Sequence, residues 1–404
     1  MFPEMKNNIY IALAAAGLLA VQSCSDSGAD SLKNATSGFD FNLVPATWEA
    51  RGHRISAYVS SDGETILEND GMAPGSYGVA RQLGLFHDGY AVAGFERSAV
   101  IINTEGEPVV DLSGFELRRL GLPAVSEGRF LANRADAGAF VCFDMEGNEV
   151  FEAEGNVRSQ LRHGYALYSD SKYGDKLGVV NAAGDVVLEA GGEEYIPGSY
   201  SDYMSSPASY AHPTWFPLTD GRQTLCILDI ATGKRYLEGM LDSSPLPAVD
   251  CNDRVVIRSD RKYGLMDLQG NTVVEPQYDY IRNDGEWYVF EQDGLYGWMD
   301  KNGGTVIEAQ FKTNISPDML GFAGGDLSLV DSKIFINRKG EPVLESEYTV
   351  KSNFVDGRCL VEMGGREGYA WMNRDGEIVS DSFHTTPLAV ASIGRISMGQ
   401  ALQY

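Results

Sequence analysis

The sequence predicts an all-β fold of repeated short antiparallel hairpin or meander units in a propeller-like array. A short pattern recurs nine times along the 404 residues: an apolar strand, Asp or Asn, two further residues, Gly, and an apolar residue three positions later. The nine glycines are Gly63, Gly106, Gly147, Gly184, Gly233, Gly270, Gly303, Gly340 and Gly376. Their mean spacing of about 39 residues is close to the period of a four-stranded propeller blade. No long apolar segment with helical periodicity follows the N-terminal 24 residues, which also indicates β structure.

The turn at the centre of each repeat explains the spacing of its Asp or Asn and its Gly. Seven repeats carry the acid or amide three residues before the glycine: Asn103, Asp144, Asn181, Asp267, Asp300, Asn337 and Asn373. Ser60 and Ile230 occupy this position in the other two repeats. An Asp or Asn side chain accepts hydrogen bonds from backbone amides just ahead of it, and Gly tolerates the positive φ of a type I turn followed by a bulge. We therefore predict turn caps rather than calcium ligands, because calcium needs several carboxylates within one loop.

Further strands flank each hairpin. Apolar segments such as 90–93, 165–168, 215–218 and 359–361 precede the hairpins, and 41–44 resembles the same element of the first repeat. Each unit therefore offers three or four short strands. The C-terminal segment 394–398 resembles 128–132, so that nine units are followed by one extra strand that could close or cap the array. A closed propeller removes exposed sheet edges. An open or two-lobed β-repeat array is the alternative, and it needs polar caps.

The repeat around Gly270 has the most complete pattern. An apolar strand leads into Tyr263-Gly264, and Asp267, the turn glycine, an apolar pair and a Glu-Pro-x-Tyr segment follow in that order. This order resembles the WG (also called KWG) repeat of bacterial proteins, with Tyr263-Gly264 and Tyr296-Gly297 where the Trp-Gly pair would stand. The resemblance covers roughly residues 40–400, and we assign residues 40–404 to one WG-type β-repeat domain. It implies a β-repeat scaffold without catalytic residues.

The N-terminus predicts the compartment. Residues 9–21 form a 13-residue apolar run, which is too short to span a membrane and suits a secretion signal. The following Val21-Gln22-Ser23-Cys24 resembles a lipobox, so that 1–23 would be a lipoprotein signal peptide and Cys24 the lipidated residue. An ordinary secretory signal with an incidental cysteine is the alternative. Residues 24–39 are rich in Ser, Gly and Asp and predict a flexible tether.

These features predict an outer-membrane lipoprotein of the bacterial cell envelope that is attached to the membrane through its lipid anchor. The acidic start of the tether, Ser25-Asp26, resembles the surface-export signal of lipoproteins in the Bacteroidota. Surface exposure is therefore the expectation, and a periplasmic location is the alternative.

The charge and the cysteines exclude several classes of function. The net charge is −25, and such an acidic surface repels phosphate backbones, so we expect no nucleic-acid partner. Cys142, Cys226 and Cys359 lie in apolar strand segments, which predicts buried free thiols, whereas Cys251 lies in a polar loop. Neither the cysteines nor the five histidines have the spacing of a metal or redox motif, and we expect no cofactor.

The largest departure from the repeat lies between Gly184 and Gly233, which are 49 residues apart. The excess falls in segment 191–215, which we call the aromatic insertion. It is rich in Tyr, Ser, Gly and Pro, the residue types of adaptable recognition loops, and insertions in repeat proteins often lie on the binding face. Its candidate partner-binding residues are Tyr195, Tyr200, Tyr203, Tyr210 and Trp215. The alternative is a loop whose rings pack back on the array.

We therefore expect a non-catalytic scaffold that binds a protein or glycan partner. One alternative is a carbohydrate- or cell-wall-active enzyme that uses a carboxylate pair, since two suitably spaced carboxylates suffice for glycoside hydrolysis. With 57 acidic residues, however, carboxylate pairs are expected by chance. A purely structural spacer is the other alternative.

Overall fold

The computed structural model describes residues 43–50, 53–59, 65–68, 82–95, 99–116, 125–135, 138–171, 174–198, 214–241, 248–250, 252–322, 325–355, 357–364, 368–385, 390 and 393. Within these ranges, 32 strands form nine antiparallel sheets of three to five strands each. A short 3-10 turn, Pro317–Met319, lies between the seventh and eighth sheets. The fold is all-β, as the sequence predicts.

The first four sheets occupy the N-terminal half of the array. Sheet 1 contains β1 (Val44–Ala50), β2 (His53–Val59) and β3 (Thr65–Glu68). Sheet 2 contains β4 (Gln82–Leu83), β5 (Tyr90–Gly94), β6 (Ala99–Asn103) and β7 (Pro108–Asp111). Sheet 3 contains β8 (Phe115–Glu116), β9 (Arg129–Arg134), β10 (Ala139–Asp144) and β11 (Glu149–Glu154). Sheet 4 contains β12 (Asn156–Val157), β13 (Tyr165–Ser169), β14 (Lys176–Asn181), β15 (Val186–Leu188) and β16 (Ile196–Pro197).

Five further sheets complete the array. Sheet 5 contains β17 (Trp215–Thr219), β18 (Thr224–Asp229) and β19 (Arg235–Tyr236). Sheet 6 contains β20 (Arg254–Ser259), β21 (Lys262–Asp267) and β22 (Thr272–Tyr278). Sheet 7 contains β23 (Tyr280–Asn283), β24 (Tyr288–Gln292), β25 (Leu295–Met299) and β26 (Thr305–Phe311). Sheet 8 contains β27 (Leu327–Leu329), β28 (Ile334–Asn337) and β29 (Pro342–Glu345), and sheet 9 contains β30 (Thr349–Val350), β31 (Arg358–Glu362) and β32 (Tyr369–Asn373).

The core is divided into apolar clusters, each shared by two consecutive sheets. In the first cluster, the Tyr58 ring of sheet 1 lies 4.6 Å from the Phe86 ring, centroid to centroid, in the segment that leads into β5. In the last, the corresponding distance between Phe335 of sheet 8 and Phe354 is 4.7 Å. Each inner sheet thus buries apolar side chains against both neighbours in the chain, and the first and last sheets do so against one, as in a propeller-like array.

The repeated turns have the predicted geometry. At the first described copy, the Gly106 amide donates to the Asn103 carbonyl over 2.9 Å, and the Asn103 side-chain oxygen accepts from the amides of Glu105 and Glu107. A register shift between Ile101 and Ile102 marks the bulge. The eight described turn glycines all have positive φ, while Gly63 lies outside the described residues.

Sheet 5 carries a longer turn than its neighbours. The amide of Gly233 donates to the carbonyl of Asp229, four residues earlier, and the Asp229 side chain caps the turn by accepting from the Ala231 amide. Ile230 therefore does not replace the capping residue. The acid is present one position earlier, because this turn contains one extra residue.

The two ends of the described chain meet. After β32, Phe383 exchanges two backbone hydrogen bonds with Tyr369, and the Thr385 hydroxyl then donates to the Pro45 carbonyl of β1. The first strand was wrongly placed at 41–44: β1 runs over Val44–Ala50, because its pairing with β2 puts Val44 opposite Val59. The predicted strand at 394–398 lies outside the described residues.

Candidate functional site

Several predicted site residues lie outside the described ranges: Cys24, with the whole of 1–42, and the insertion residues Tyr200, Tyr203 and Tyr210. In the described ranges, no helix combines the length and the apolar content needed to cross a bilayer. Among the same residues, no group of three His, Cys, Asp or Glu side chains is arranged to hold a metal ion. Two of the five insertion aromatics, Tyr195 and Trp215, can be placed.

Tyr195 links sheet 4 to sheet 5. Its backbone exchanges two hydrogen bonds with Thr219 at the end of β17, over 3.1 and 2.9 Å. The Lys176 ammonium lies 4.4 Å from the centre of its ring, within the range of a cation–π contact. The side chain is half-buried, so that part of the ring remains accessible.

Trp215 begins β17 and is also half-buried. Its ring stacks on Tyr236 of β19, with 4.7 Å between centroids and 24° between planes. The Lys234 ammonium lies 4.3 Å from the centre of the Tyr236 ring. One face of the Trp215 ring is therefore occupied by packing within sheet 5.

The described parts of the insertion are fixed to two sheets. Before the undescribed residues, the Gly198 amide donates to the Asp175 carbonyl over 2.6 Å. After them, the Thr214 carbonyl accepts from the Ile230 amide over 2.9 Å. Tyr195 lies opposite Thr219, at the far end of β17 from Trp215, which is roughly 13 Å along a strand. The two described rings therefore flank the insertion from separate points and do not form one continuous patch.

A second aromatic group, in sheets 6 and 7, belongs to the core. Tyr278, Tyr288, Tyr296 and Trp298 are all buried. The Trp298 ring meets Phe322 edge to face, with centroids 5.6 Å apart. These rings hold consecutive sheets together.

One enclosed carboxylate, Asp250, connects sheets 6 and 7. One of its oxygens accepts from the Tyr288 hydroxyl over 2.6 Å and from the Asn283 amide over 3.2 Å, and the other accepts from the backbone amides of Asn252 and Arg254. Burial raises the pKa of Asp250 to about 6, and these four hydrogen bonds oppose the shift. All of its contacts are internal, and they join the entry to β20 with β23 and β24.

A second enclosed carboxylate, Asp284, connects sheets 7 and 8. It accepts from the backbone amides of Trp287 and Phe322 over 2.9 and 3.0 Å. Burial raises its pKa, and the charge of Arg282 opposes the shift. Gly321 leaves room for this carboxylate, because a Cβ there would lie 2.7 Å from the Asp284 Cβ.

The cysteine prediction is confirmed for the described thiols. Cys142, Cys226 and Cys359 are free and buried. Burial raises all three thiol pKa values, that of Cys142 to about 11. They are therefore protonated and unreactive at neutral pH. Cys251 lies outside the described residues.

Sequence reasoning missed a group of cations between sheets 8 and 9. Arg338, Lys339 and Arg374 line one surface pocket. The sequence gives one signal for them, since Arg338 and Arg374 both follow the capping Asn of a turn, at Asn337 and Asn373. These cations form no extended basic stripe in the sequence, because the three side chains come from two repeats and meet only when the turns stack.

The comparison with known families agrees with the repeat pattern. Residues 263–296 and 335–366 match the family model of the WG containing repeat. These two segments of the array match the repeat. No curated protein matches the sequence.

Several solved structures resemble the β-repeat array at low identity. The crystal structure of the eukaryotic initiation factor shares 10% identity at a TM-score of 0.45, over 85% of this chain and 97% of that one. The dihydro-heme d1 dehydrogenase NirN shares 13% identity at a TM-score of 0.37, over 85% of this chain and 74% of that one. The Pan2 WD40 domain of Neurospora crassa shares 12% identity at a TM-score of 0.24, over 80% of this chain and 82% of that one. These likenesses carry no information about the function of this chain.

Proposed function

We propose that this WG-repeat chain is an envelope-anchored, non-catalytic scaffold that binds a protein or glycan partner. The observation that carries the proposal is the attachment of the aromatic insertion. Its described ends are hydrogen-bonded to two consecutive sheets, at Gly198 and Thr214, and those sheets share an apolar cluster. A loop that leaves a rigid scaffold at two fixed points is a common way to present recognition residues.

A role in binding is also supported by the buried carboxylates. The oxygens of Asp250 and Asp284 accept hydrogen bonds from groups of the protein itself. A general acid or base must come within hydrogen-bond reach of its substrate. Both side chains are enclosed between sheets, where their hydrogen bonds join consecutive repeats, and this favours the scaffold over a carboxylate-pair enzyme.

The insertion is tested by changing Tyr200, Tyr203 and Tyr210 together to Ser. We expect the variant to lose partner capture from envelope extracts or on a glycan array, because the exposed faces of aromatic rings supply contact area at low entropic cost. Its melting temperature should stay at the wild-type value. Unchanged capture together with unchanged melting would contradict the proposal.

A matched control changes Ser201, Ser205 and Ser209 to Ala. These substitutions alter the same insertion and leave its rings in place, so we expect normal capture. Loss of capture in both variants would show that the backbone of the insertion, and not its rings, carries recognition.

Envelope anchoring is tested separately through Cys24. Metabolic labelling with an alkyne fatty acid should mark the wild-type protein and should not mark the Cys24→Ser variant. Protease treatment of intact cells then locates the array: digestion before lysis supports surface exposure, and protection until lysis supports a periplasmic location. An unlabelled wild-type protein would contradict the lipid anchor.

A further inference from the structure

A surface pocket with a volume of about 470 Å³ lies between sheets 8 and 9. This volume falls within the range of pockets that bind small ligands or single side chains of a partner. The lining residues are Asp326, Leu327, Asn337, Arg338, Lys339, Val343, Leu344 and Arg374. The pocket thus combines the turn that joins β28 and β29, the edge strand β29, and one side chain from the corresponding turn of sheet 9.

The Arg338 guanidinium is held in place at the wall of this pocket. Its Nε donates to the Gly325 carbonyl over 2.9 Å, and Nη1 donates to the Glu286 carboxylate over 2.7 Å. The guanidinium carbon lies 4.9 Å from the centre of the Trp287 ring. Within the described structure, Nη2 donates to no protein group. Arg338 therefore offers a positioned donor edge that its internal partners leave available.

The other two cations are more exposed. Arg374 donates from Nη1 to both carboxylate oxygens of Asp326, over 2.8 and 2.7 Å, and the two side chains are 47% and 63% exposed. Such an exposed ion pair is weak, so a ligand carboxylate can replace Asp326 on the guanidinium. Lys339 is exposed, and the described residues provide it with no acidic partner. The lining therefore presents Lys339 and Arg374 against one weakly held carboxylate, beside the Nη2 edge of Arg338, whose charge is paired with Glu286.

The remaining wall is aliphatic. Leu327 and Leu344 are partly buried, and Val343 is 50% exposed. Among the described residues that line the pocket, none is aromatic. Among the strands that the structure describes, β29 is the last of sheet 8 and pairs only with β28, so that its outer backbone edge can also pair with an extended chain.

We propose that this pocket binds an acidic side chain of an extended peptide, with aliphatic residues next to the acid, lying along β29. The carboxylate pairs with Arg374 and Lys339 and reaches Nη2 of Arg338, while the aliphatic neighbours contact Val343 and Leu344. The aliphatic wall favours a peptide over a sugar, since sugar rings usually pack on aromatic faces.

The charge of the whole chain does not prevent this binding. The chain carries a net charge of −25, but exposed charges are screened over about 8 Å at physiological ionic strength. The binding of an acidic peptide at the pocket therefore depends on the cations that line it. The binding should weaken as salt is added.

The probe is a fluorescein-labelled peptide of alternating Glu and Val, with a Gln–Val peptide for comparison. Fluorescence anisotropy with the full chain in detergent should show binding of the first peptide and none of the second. We expect Lys339→Gln to weaken binding about two- to fivefold, and Lys339→Gln with Arg374→Gln at least about tenfold. Asp326→Asn should strengthen binding about two- to fivefold, because it removes the internal competitor for Arg374.

The matched control is Lys301→Gln, which removes the same charge from the corresponding turn of sheet 7 and should leave binding unchanged. Equal losses in Lys301→Gln and Lys339→Gln would overturn the proposal, as would weaker binding in Asp326→Asn or no binding by the wild-type chain. A third outcome is that a galacturonate oligosaccharide binds with the same dependence on the variants and the Glu–Val peptide does not bind. This result would overturn the peptide proposal and assign the pocket to acidic glycans. The site is separate from the aromatic insertion, so neither test decides the other.

Discussion

The turn glycine Gly303 meets two requirements at once, and comparison with Gly294 separates them. Gly303 has a φ of +85°, and a Cβ at this position would lie 2.6 Å from Val274 Cγ2 of the preceding sheet. Gly294, at the other end of β25, has a φ of +77° and no heavy atom within 4 Å of the same added atom. Both glycines need the left-handed backbone, but only Gly303 also needs space for a neighbouring sheet.

The two alanine variants should therefore differ in stability. The left-handed backbone costs a residue with a Cβ about 1–2 kcal/mol, and this is the whole expected cost of Gly294→Ala. Gly303→Ala adds the cost of overpacking against a short, branched side chain in the cluster between sheets 6 and 7, about 1–3 kcal/mol. We expect Gly303→Ala to be the more destabilising by about 1–3 kcal/mol in the free energy of unfolding.

The assay is urea unfolding of both variants, followed by fluorescence and circular dichroism so that any non-coincident transition is seen. Val274→Ala provides the internal check, because removing the two methyl groups opens the space that a methyl group at position 303 would need. In this background, Gly303→Ala should recover at least about 1 kcal/mol of its cost as a coupling energy. Equal destabilisation by the two alanine variants, or no coupling to Val274→Ala, would refute the close-packing explanation and leave only the backbone requirement.

Two further predictions concern buried ionisable groups. Because burial raises the pKa of Asp250 from 3.8 to about 6, its contribution to stability is fully present below about pH 4 and is lost as the pH rises through 6. This pKa shift corresponds to a loss of about 3 kcal/mol in the free energy of unfolding. The Asp250→Asn variant should not show this loss when its unfolding free energy is measured against pH. A pH dependence equal to that of the wild-type chain would contradict the prediction. Cys142, Cys226 and Cys359 should resist iodoacetamide in the folded protein and react once urea unfolds it, as read by peptide mass mapping; rapid labelling of any of them in the native protein would contradict their enclosure.

The local geometry of the repeat could be predicted from the sequence because it depends on neighbouring residues. Asn103 and Gly106 lie within one turn, and their spacing alone requires the observed cap and positive φ. The buried thiols could be predicted for a similar reason, since an apolar strand segment in a repeat is covered by the next unit. The extra residue in the turn at Asp229 was missed because the search assumed one fixed spacing to the glycine.

Contacts between repeats could not be predicted in this way. The approach of Val274 to Gly303 depends on how two sheets stack. The sequence gives no sign of this approach, because the backbone conformation of the turn already explains the glycine. The enclosure of Asp250 depends on Asn283 and Tyr288, which are more than 30 residues away. The position of β1 was wrong because strand pairing with β2, and not composition alone, decides where the first strand lies.

The stacking of the turns suggests how such an array can vary its binding without changing its fold. The first position of a turn is constrained by the cap, and in turns such as that of Gly340 the last position is also constrained by the preceding sheet, since an added Cβ would lie 2.9 Å from Ile307 Cγ2. The two positions between them are constrained by neither, and at one turn they are Arg338 and Lys339. Because consecutive turns lie against each other, substitutions at these middle positions in adjacent repeats create a combined surface. The pocket between sheets 8 and 9 has this origin, so specificity in the array can change at turn positions that contribute little to its stability.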